Sequence, residues 1–302
     1  MATVSIIIPV RNRAKYLPRL FRSLTALTYR DVEIVLVDNG SSDASLSMCH
    51  AFAQEAPMHV TVLEEPRCGA CQARNMGLEY CSSEWVYFFD CDDELSPAFI
   101  EDVLSNSSNA DMVAIPTKED VGGQVRQRSF RPSPSVASQI LSSTLNTSGM
   151  FFRTAFLRKI GGWDESLGVW QDWELGIRVL LCKPNICWLP KKAYHRIYVH
   201  PDSITGASMA SNLALRLHTL DVVEHEIATA SARRALFFRY AILNGMLRRE
   251  GSAMRAKYIS ATWPCRLLGR FLELYTAMGG RGAWRIALMF VAVNESIAIG
   301  SE

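Results

Sequence analysis

The 302 residues are 49% apolar and 21% charged, with a formal charge of +2. That balance excludes a disordered chain and allows a full core with room beyond one small domain. Eight scattered cysteines and no apolar leader in residues 1–12 argue against a secreted, disulfide-stapled fold, so the expected compartment is the cytoplasm.

The first elements follow from hydrophobic period. Residues 4–10, 32–38 and 60–63 are short β-branched runs, and residues 16–27, 45–56 and 70–80 between them have helical spacing, with Leu17, Leu20, Phe21, Leu24 and Leu27 on one face of the first. Residues 85–89, Trp-Val-Tyr-Phe-Phe, make a further apolar run, the composition of a strand covered on both faces. Alternation of this kind predicts an α/β fold with a doubly wound, mainly parallel sheet and right-handed crossovers. Ligands of such sheets bind at the carboxyl ends of the strands, near the reversal of strand order, and Arg11, Asp38 and Asp90 fall at those ends.

The run 85–89 leads into Asp90, Asp92 and Asp93. Carboxylates this close repel one another unless a cation lies among them, and hard oxygen ligands suit Mg²⁺ or Mn²⁺ with positions left open for phosphate oxygens. The other reading is an acidic turn ahead of a helix capped by Ser96-Pro97. Arg11-Asn12-Arg13, Asp38 and the acidic triplet together are what a nucleoside diphosphate with a metal would need. A dinucleotide-dependent dehydrogenase would need a glycine-rich first turn, but residues 9–15 read Pro-Val-Arg-Asn-Arg-Ala-Lys, and no phosphate-binding Gly-x-x-x-x-Gly-Lys-Ser/Thr loop occurs.

Four segments carry a family resemblance. Ser5-Ile-Ile-Ile-Pro-Val-Arg-Asn12, Ile34-Val-Leu-Val-Asp-Asn-Gly-Ser-Ser-Asp43, Ala73-Arg-Asn-Met-Gly77 and Phe88-Phe-Asp-Cys-Asp-Asp93 resemble, in order and spacing, the signatures of family-2 glycosyltransferases, inverting enzymes of the GT-A fold. The likeness covers about residues 3–205. It implies that Pro9, Val10 and Arg11 line the base and ribose pocket of a nucleotide sugar and that Asp38 accepts a hydrogen bond from the base imide. Arg74 would lie near the base or diphosphate. Asp90, Cys91 and Asp92 would form the Asp-x-Asp element, with Asp92 as metal ligand. Asp38 before Asn39-Gly40 is also a turn-initiating acid, and the two roles are compatible.

Further along, Trp170-Gln-Asp-Trp-Glu174 resembles the family segment that usually reads Glu-Asp, whose second acid is the general base. That acid maps to Asp172; Gln171 departs from the pattern, and Glu174 is the rival. Trp170 and Gln171 are the expected acceptor contacts, and Trp163 and Trp173 lie nearby. Asp172 alone also reads as a helix N-cap. In residues 194–205 the resemblance places a histidine and a hydroxyl near diphosphate or metal; His200 and Ser203 fit best, His195 less well. Cys68-Gly-Ala-Cys71 has redox-motif spacing without the usual context.

The chain is expected to divide into a nucleotide-sugar domain, residues 1–206, and a basic helical appendage, residues 207–302, with helices near 212–228, 230–248, 264–276 and 284–299. From 231 to 285 eleven Lys/Arg face two acids, with Phe237, Phe238, Trp263 and Phe271 interleaved. This pattern suits either a peripheral contact with an anionic membrane or a solvated basic face; no nucleic-acid motif accompanies it. Residues 283–300 are interrupted by Arg285, Asn294 and Glu295, too polar to span a bilayer. The expectation is a Mn²⁺- or Mg²⁺-dependent inverting glycosyltransferase of polysaccharide biosynthesis. Its donor would be a nucleoside diphosphate sugar, a UDP-sugar first, and its acceptor a glycan or lipid-linked glycan. The alternatives are a nucleotide-sugar-binding protein without turnover, or a redox protein using Cys68 and Cys71.

Overall fold

The computed structural model describes residues 3–128, 130, 132, 134–189, 193–199, 208–252 and 261–299, the last stretch with side chains to residue 291. The chain forms two compact units, one of residues 1–133, 145–168 and 182–200, the other of 134–144, 169–181 and 201–302.

The first unit opens with β1 (Val4–Val10), α1 (Leu17–Thr25), β2 (Val32–Asp38), α2 (Ser45–Glu55), β3 (His59–Glu64), α3 (Ala70–Tyr80) and β4 (Trp85–Phe88), close to the periodicity-based expectation. After β5 (Glu94–Leu95) and α4 (Phe99–Leu104) come β6 (Met112–Ala114), β7 (Thr117–Val121) and β8 (Gln124–Gln127). The helix α4 starts three residues after Ser96, with no side-chain cap. In the second unit lie α5 (Val136–Ser142) and α7 (Gln171–Leu181); β9 (Met150–Arg153), α6 (Thr154–Lys159), β10 (Ile186–Trp188) and β11 (His195–Val199) belong to the first.

The main sheet has the order β10-β6-β9-β4-β1-β2-β3. All its neighbours are parallel except β9, which runs antiparallel to both β4 and β6. Ile6, Ile7 and Ile8 are all fully buried: with helices on both faces, a strand carries an unbroken apolar run rather than an alternation. Strand order reverses at β1, so the carboxyl ends of β1 and β4 flank the switch point, and the register sets Val10 beside Asp38. The helix α3 approaches β1 closely because Gly77 has no side chain; a Cβ there would lie 2.5 Å from Cγ2 of Ile7.

A smaller sheet, β5-β11-β7-β8, accompanies it. Residues 117–127 form a hairpin whose turn is Gly122-Gly123, at φ +60° and +90°. Positive φ at both central residues is the primed turn that matches strand twist, and two glycines adopt it without steric cost.

The second unit adds α8 (Leu213–Glu226), α9 (Ala230–Arg249), α10 (Trp263–Ala277) and α11 (Ala283–Ile299), within a residue or two of the expected helices. Its core joins Ile140 and Leu141 of α5 and Trp173 and Ile177 of α7 to Leu220, Val223, Leu236, Phe238, Leu243 and Leu272. The division therefore differs from a single cut at 206, because the apolar faces of α5 and α7 are completed by helices from the end of the chain. No helix among the described residues is long and apolar enough to cross a membrane.

Candidate active site

At the carboxyl ends of β1 and β2 the backbone is pinned by side chains. Asn39 N–H donates to the Val10 carbonyl at 2.8 Å, while Asn39 Nδ2 donates to the carbonyls of Glu65 and Arg67 and its Oδ1 accepts from Gly69 N–H at 2.8 Å. The buried Asn39 thus ties the β1–β2 end to the 65–69 loop. Asn12, at φ +52°, donates its N–H to Ser41 Oγ and accepts from Ser42 N–H, and Arg13 N–H donates to Ser45 Oγ. Pro9 is half-buried, Val10 is buried, and the exposed Arg11 donates to Cys68 Sγ.

Asp38 is 3% exposed. Its Oδ2 accepts the Ser41 N–H at 3.0 Å, the turn-initiating bond, but its Oδ1 is buried without a hydrogen-bond partner. An acceptor in that state costs about 1–3 kcal/mol, which an incoming N–H donor would recover. The turn role and a ligand role coexist on one carboxyl group.

The three acids after β4 diverge. Asp90 pairs with Arg74 at 3.1 Å and Asp92 with Arg13 at 3.8 Å. Asp93 turns inward: it is 2% exposed and accepts the Tyr198 N–H at 3.0 Å. Burial, reinforced by the charges of Asp90 and Asp92, pushes its carboxyl well above the usual range. The triplet thus does not act as one three-carboxylate cluster, because β5 and β11 take Asp93 into the small sheet. Cys91 is buried, its thiol pushed up by burial and by neighbouring carboxylates. Arg19 donates to the Asp92 carbonyl and stacks on Tyr198 at 3.6 Å.

Among the described residues no three His, Cys, Asp or Glu side chains form a ready-made metal cage. Asp90 and Asp92, with side chains 37% and 18% exposed, fit a Mg²⁺ or Mn²⁺ that takes one or two carboxylates and fills its remaining positions with phosphate oxygens and water.

The Ala73–Gly77 motif has a physical reading residue by residue. The buried Arg74 meets Asp90 and lies 4.5 Å over the Trp163 ring; Asn75 bonds Trp163 through its carbonyl (2.8 Å) and N–H (2.9 Å); Gly77 lets the helix reach β1. Trp163 is therefore core. Arg67 bridges Glu65 and Glu165, each at 2.7 Å, and holds the Glu65 carboxyl below its ordinary range. His195 is buried, meets the Tyr87 hydroxyl, and is lowered to about 3 by burial, so it is a neutral core histidine. Neither Cys68 nor Cys71 is in a disulfide; Cys68 is exposed and Cys71 buried. His200 and Ser203 lie outside the described residues.

In the second unit, Trp170 holds φ +56° immediately before α7. A bulky residue in this region costs on the order of 1–2 kcal/mol. Its ring meets Trp173 edge-on at 5.7 Å and carries the Arg239 guanidinium at 4.7 Å. Burial and the nearby Arg216 lower Arg239 to about 10, which leaves it charged at neutral pH. Gln171 and Asp172 follow, both half-buried, with Asp172 Oδ1 accepting the Trp173 N–H at 2.9 Å. Glu174 differs: 1% exposed, it is held by both Nε (2.6 Å) and Nη2 (2.9 Å) of Arg178. Both of its oxygens are thus engaged by one guanidinium. Trp173 is core, its Nε1 donating to the Ile140 carbonyl.

Sequence reading did not single out Asn39 as a positioning residue, nor Arg19 and Tyr198 beside the acidic turn. Asn39-Gly40 signals a turn, and nothing in the dipeptide points to the 65–69 loop.

A family model described as glycosyl transferase family 2 matches residues 5–161. Glycosyltransferase GlyG of Streptococcus pneumoniae is 32% identical over 108 residues, 36% of this chain and 36% of that protein. An uncharacterised glycosyltransferase of Nostoc sp., alr2836, is 27% identical over 224 residues, 69% of each chain. The alignment thus spans about a third of the first of these relatives. Among solved structures, S. aureus TarS residues 1–349 in complex with UDP-GlcNAc has a TM-score of 0.66 at 18% identity, covering 94% of this chain and 90% of that one. A mannosyltransferase from Pyrobaculum calidifontis in complex with GDP-Man and Mn²⁺ has a TM-score of 0.61 at 16% identity, covering 96% and 86%. The fold is GT-A.

Proposed function

The chain belongs to glycosyl transferase family 2, and on that premise we propose that it moves a sugar, with inversion, from a nucleoside diphosphate sugar to a hydroxyl of a glycan or lipid-linked glycan. A UDP-sugar is the first candidate donor. The observation that carries the donor reading is the buried, unpartnered Oδ1 of Asp38 at the carboxyl end of β2, which would accept the imide N–H that uracil and thymine carry at N3 and cytosine lacks. Pro9, Val10 and Arg11 would flank the nucleoside. Arg13 and Arg74, beside Asp92 and Asp90, would place positive charge near the diphosphate.

Mn²⁺ or Mg²⁺, bound with the donor by Asp92 and Asp90, would stabilise negative charge on the diphosphate oxygens. The protein's own step is proton removal: Asp172 takes the acceptor hydroxyl proton as that oxygen bonds the anomeric carbon and the bond to the diphosphate oxygen breaks, its electron pair leaving with the diphosphate. The locked Glu174–Arg178 pair favours Asp172 over Glu174 for this role. Trp170 and Gln171 would contact the acceptor. The same reading gives the chain a cytoplasmic setting and a peripheral contact with an anionic membrane through residues 231–285.

Calorimetric titration with UDP, CDP, GDP and dTDP, with and without Mn²⁺, tests the donor reading. UDP should bind in the presence of Mn²⁺, and Asp38→Asn should weaken it by about tenfold, since one amide oxygen cannot serve both Ser41 and the base. Unchanged UDP affinity in Asp38→Asn, or tighter binding of CDP than UDP by the parent, overturns this placement of the base.

A further inference from the structure

The structure sorts the aromatic residues of the basic region. Phe237 and Phe238, candidates for an interfacial surface in the sequence, are 3% and 0% exposed and belong to the core of α9; Trp263 and Phe271 of α10 are exposed. Along α10, Cys265, Gly269, Leu272, Glu273 and Thr276 are buried. Gly269 accommodates the Phe237 ring, which a Cβ would meet at 2.6 Å. On another side Trp263, Leu267, Phe271, Leu274 and Met278 are 69%, 58%, 50%, 49% and 81% exposed. At 100° per residue these five fall within an arc of about 80°, an apolar stripe on a helix roughly 22 Å long. Arg266 and Arg270 are exposed and border one edge of that arc. Glu273, the one acid in the α10 sequence, is buried and pairs with Arg248 at 3.3 Å, so the exposed side of α10 carries no negative charge.

We propose that α10 is the membrane-docking element: it lies flat on an anionic phospholipid surface, its stripe entering the headgroup–acyl boundary while Arg266 and Arg270 meet lipid phosphates. The inference rests on the peripheral-membrane reading of residues 231–285 and narrows it to one helix face. Large apolar residues continuous along an exposed helix face mark an interaction surface rather than a solvated one. The bordering charge selects the occupant. A second copy docking stripe to stripe would bring arginines towards arginines with no exposed acid on either α10 to answer them, whereas an anionic bilayer satisfies both the apolar stripe and the cations.

The experiment uses the full chain and sedimentation with vesicles of phosphatidylcholine alone, or of phosphatidylcholine and phosphatidylglycerol in equal parts, at low and high salt. Two variants accompany the parent: a triple Leu267→Ser, Phe271→Ser, Leu274→Ser, and a double Arg266→Ser, Arg270→Ser. All five positions are exposed, and thermal melts report folding. The parent should partition to anionic vesicles at least about tenfold better than to neutral ones and lose binding with salt. The triple variant should lose about tenfold or more, and the double about fivefold with a flatter salt dependence. A parent that stays in the supernatant with anionic vesicles at low salt overturns both this inference and the peripheral reading. A parent that sediments with a triple variant that sediments equally well overturns α10 alone. Concentration-dependent self-association that the triple variant abolishes, without vesicle binding, assigns the stripe to a second copy and overturns the proposal. UDP titration of the same variants reports separately on the donor site.

Discussion

The two units handle arginine differently. In the first, most guanidinium groups meet carboxylates, among them Arg74 with Asp90, Arg13 with Asp92, Arg67 with Glu65 and Glu165, Arg153 with Glu84, and Arg196 with Asp120. Several of these pairs gather at the strand ends, where they orient acids that repulsion would otherwise scatter. In the second, Arg178 and Arg248 find carboxylates, but Arg239 rests on Trp170 and Trp173, Arg216 bonds the carbonyls of Ser208 and Met209, Arg285 lies over Trp284, and Arg266 and Arg270 point outward. Internal matching makes a site whose shape depends on its charges, and exposed cations such as Arg266 and Arg270 make a surface that attracts anions. A near-neutral chain can do both when its charge is distributed this unevenly.

The sharpest way to break the comparison is to exchange the two acids at the start of α7. Asp172→Asn preserves size and should leave donor affinity and melting temperature alone while transfer falls by about 10² to 10⁴. Glu174→Gln should do the reverse: removing one partner of a buried pair leaves Arg178 uncompensated and costs about 3 kcal/mol, with little loss of rate once folded. Turnover assays alongside denaturant unfolding separate the two. An active Asp172→Asn with a dead, stably folded Glu174→Gln would exchange their roles.

A smaller effect belongs to the strand ends. On the proposed reading Asp92→Ala would remove one hard oxygen ligand and free Arg13, so UDP affinity in Mn²⁺ should drop by about tenfold, roughly 1.4 kcal/mol, with less change when metal is chelated. Equal affinity of the parent with and without Mn²⁺ would show that the arginines alone hold the diphosphate.

The gentlest test is of pH. Burial lowers His195 to about 3 from its ordinary 6.5, so between those values the unfolded chain binds a proton that the folded one refuses. Stability therefore falls as pH drops through this window, by up to about 1.4 kcal/mol per unit. Asp93 works in the opposite sense: its raised carboxyl, above the ordinary 3.8, makes the folded form keep a proton that the unfolded chain releases. Urea unfolding of the parent and His195→Gln at pH 7, 6 and 5 isolates the histidine. A parent whose midpoint drops no more steeply than that of the variant would remove His195 from the acid response.

The parallel half of the sheet was legible because strands buried on both faces leave unbroken apolar runs, as in Ile6–Ile7–Ile8, and because amphipathic helices repeat at 3.6 residues. Candidate donor residues were legible where a strand end and a polar residue coincide, as at Asp38 and Asp90. What stayed hidden needed partners distant in sequence. Asp93 looks like Asp90 and Asp92 until β11 arrives to bond it. The strand β9 is only Met-Phe-Phe-Arg, and nothing in four residues says that it runs antiparallel between two others. The β7 strand, Thr-Lys-Glu-Asp-Val, lacks the expected alternation, although Gly122-Gly123 was a usable hairpin signal. Residues 134–144 and 169–181 gave no sign of joining helices beyond residue 206, because an apolar helix face does not name what covers it.

The place of β9 has a consequence in time. The order β3-β2-β1-β4 is complete once residue 88 has been made, so these four strands can pair as soon as they leave the ribosome. The free edge of β4 then waits for residue 150, and β6 has no neighbour in the main sheet until that same strand emerges. At about 5–20 residues per second the interval is on the order of several seconds. During it the nascent chain shows a hydrophobic strand edge with unbonded amides, which makes residues 85–88 the stretch of this sheet most open to chaperones or to a neighbouring chain while translation continues.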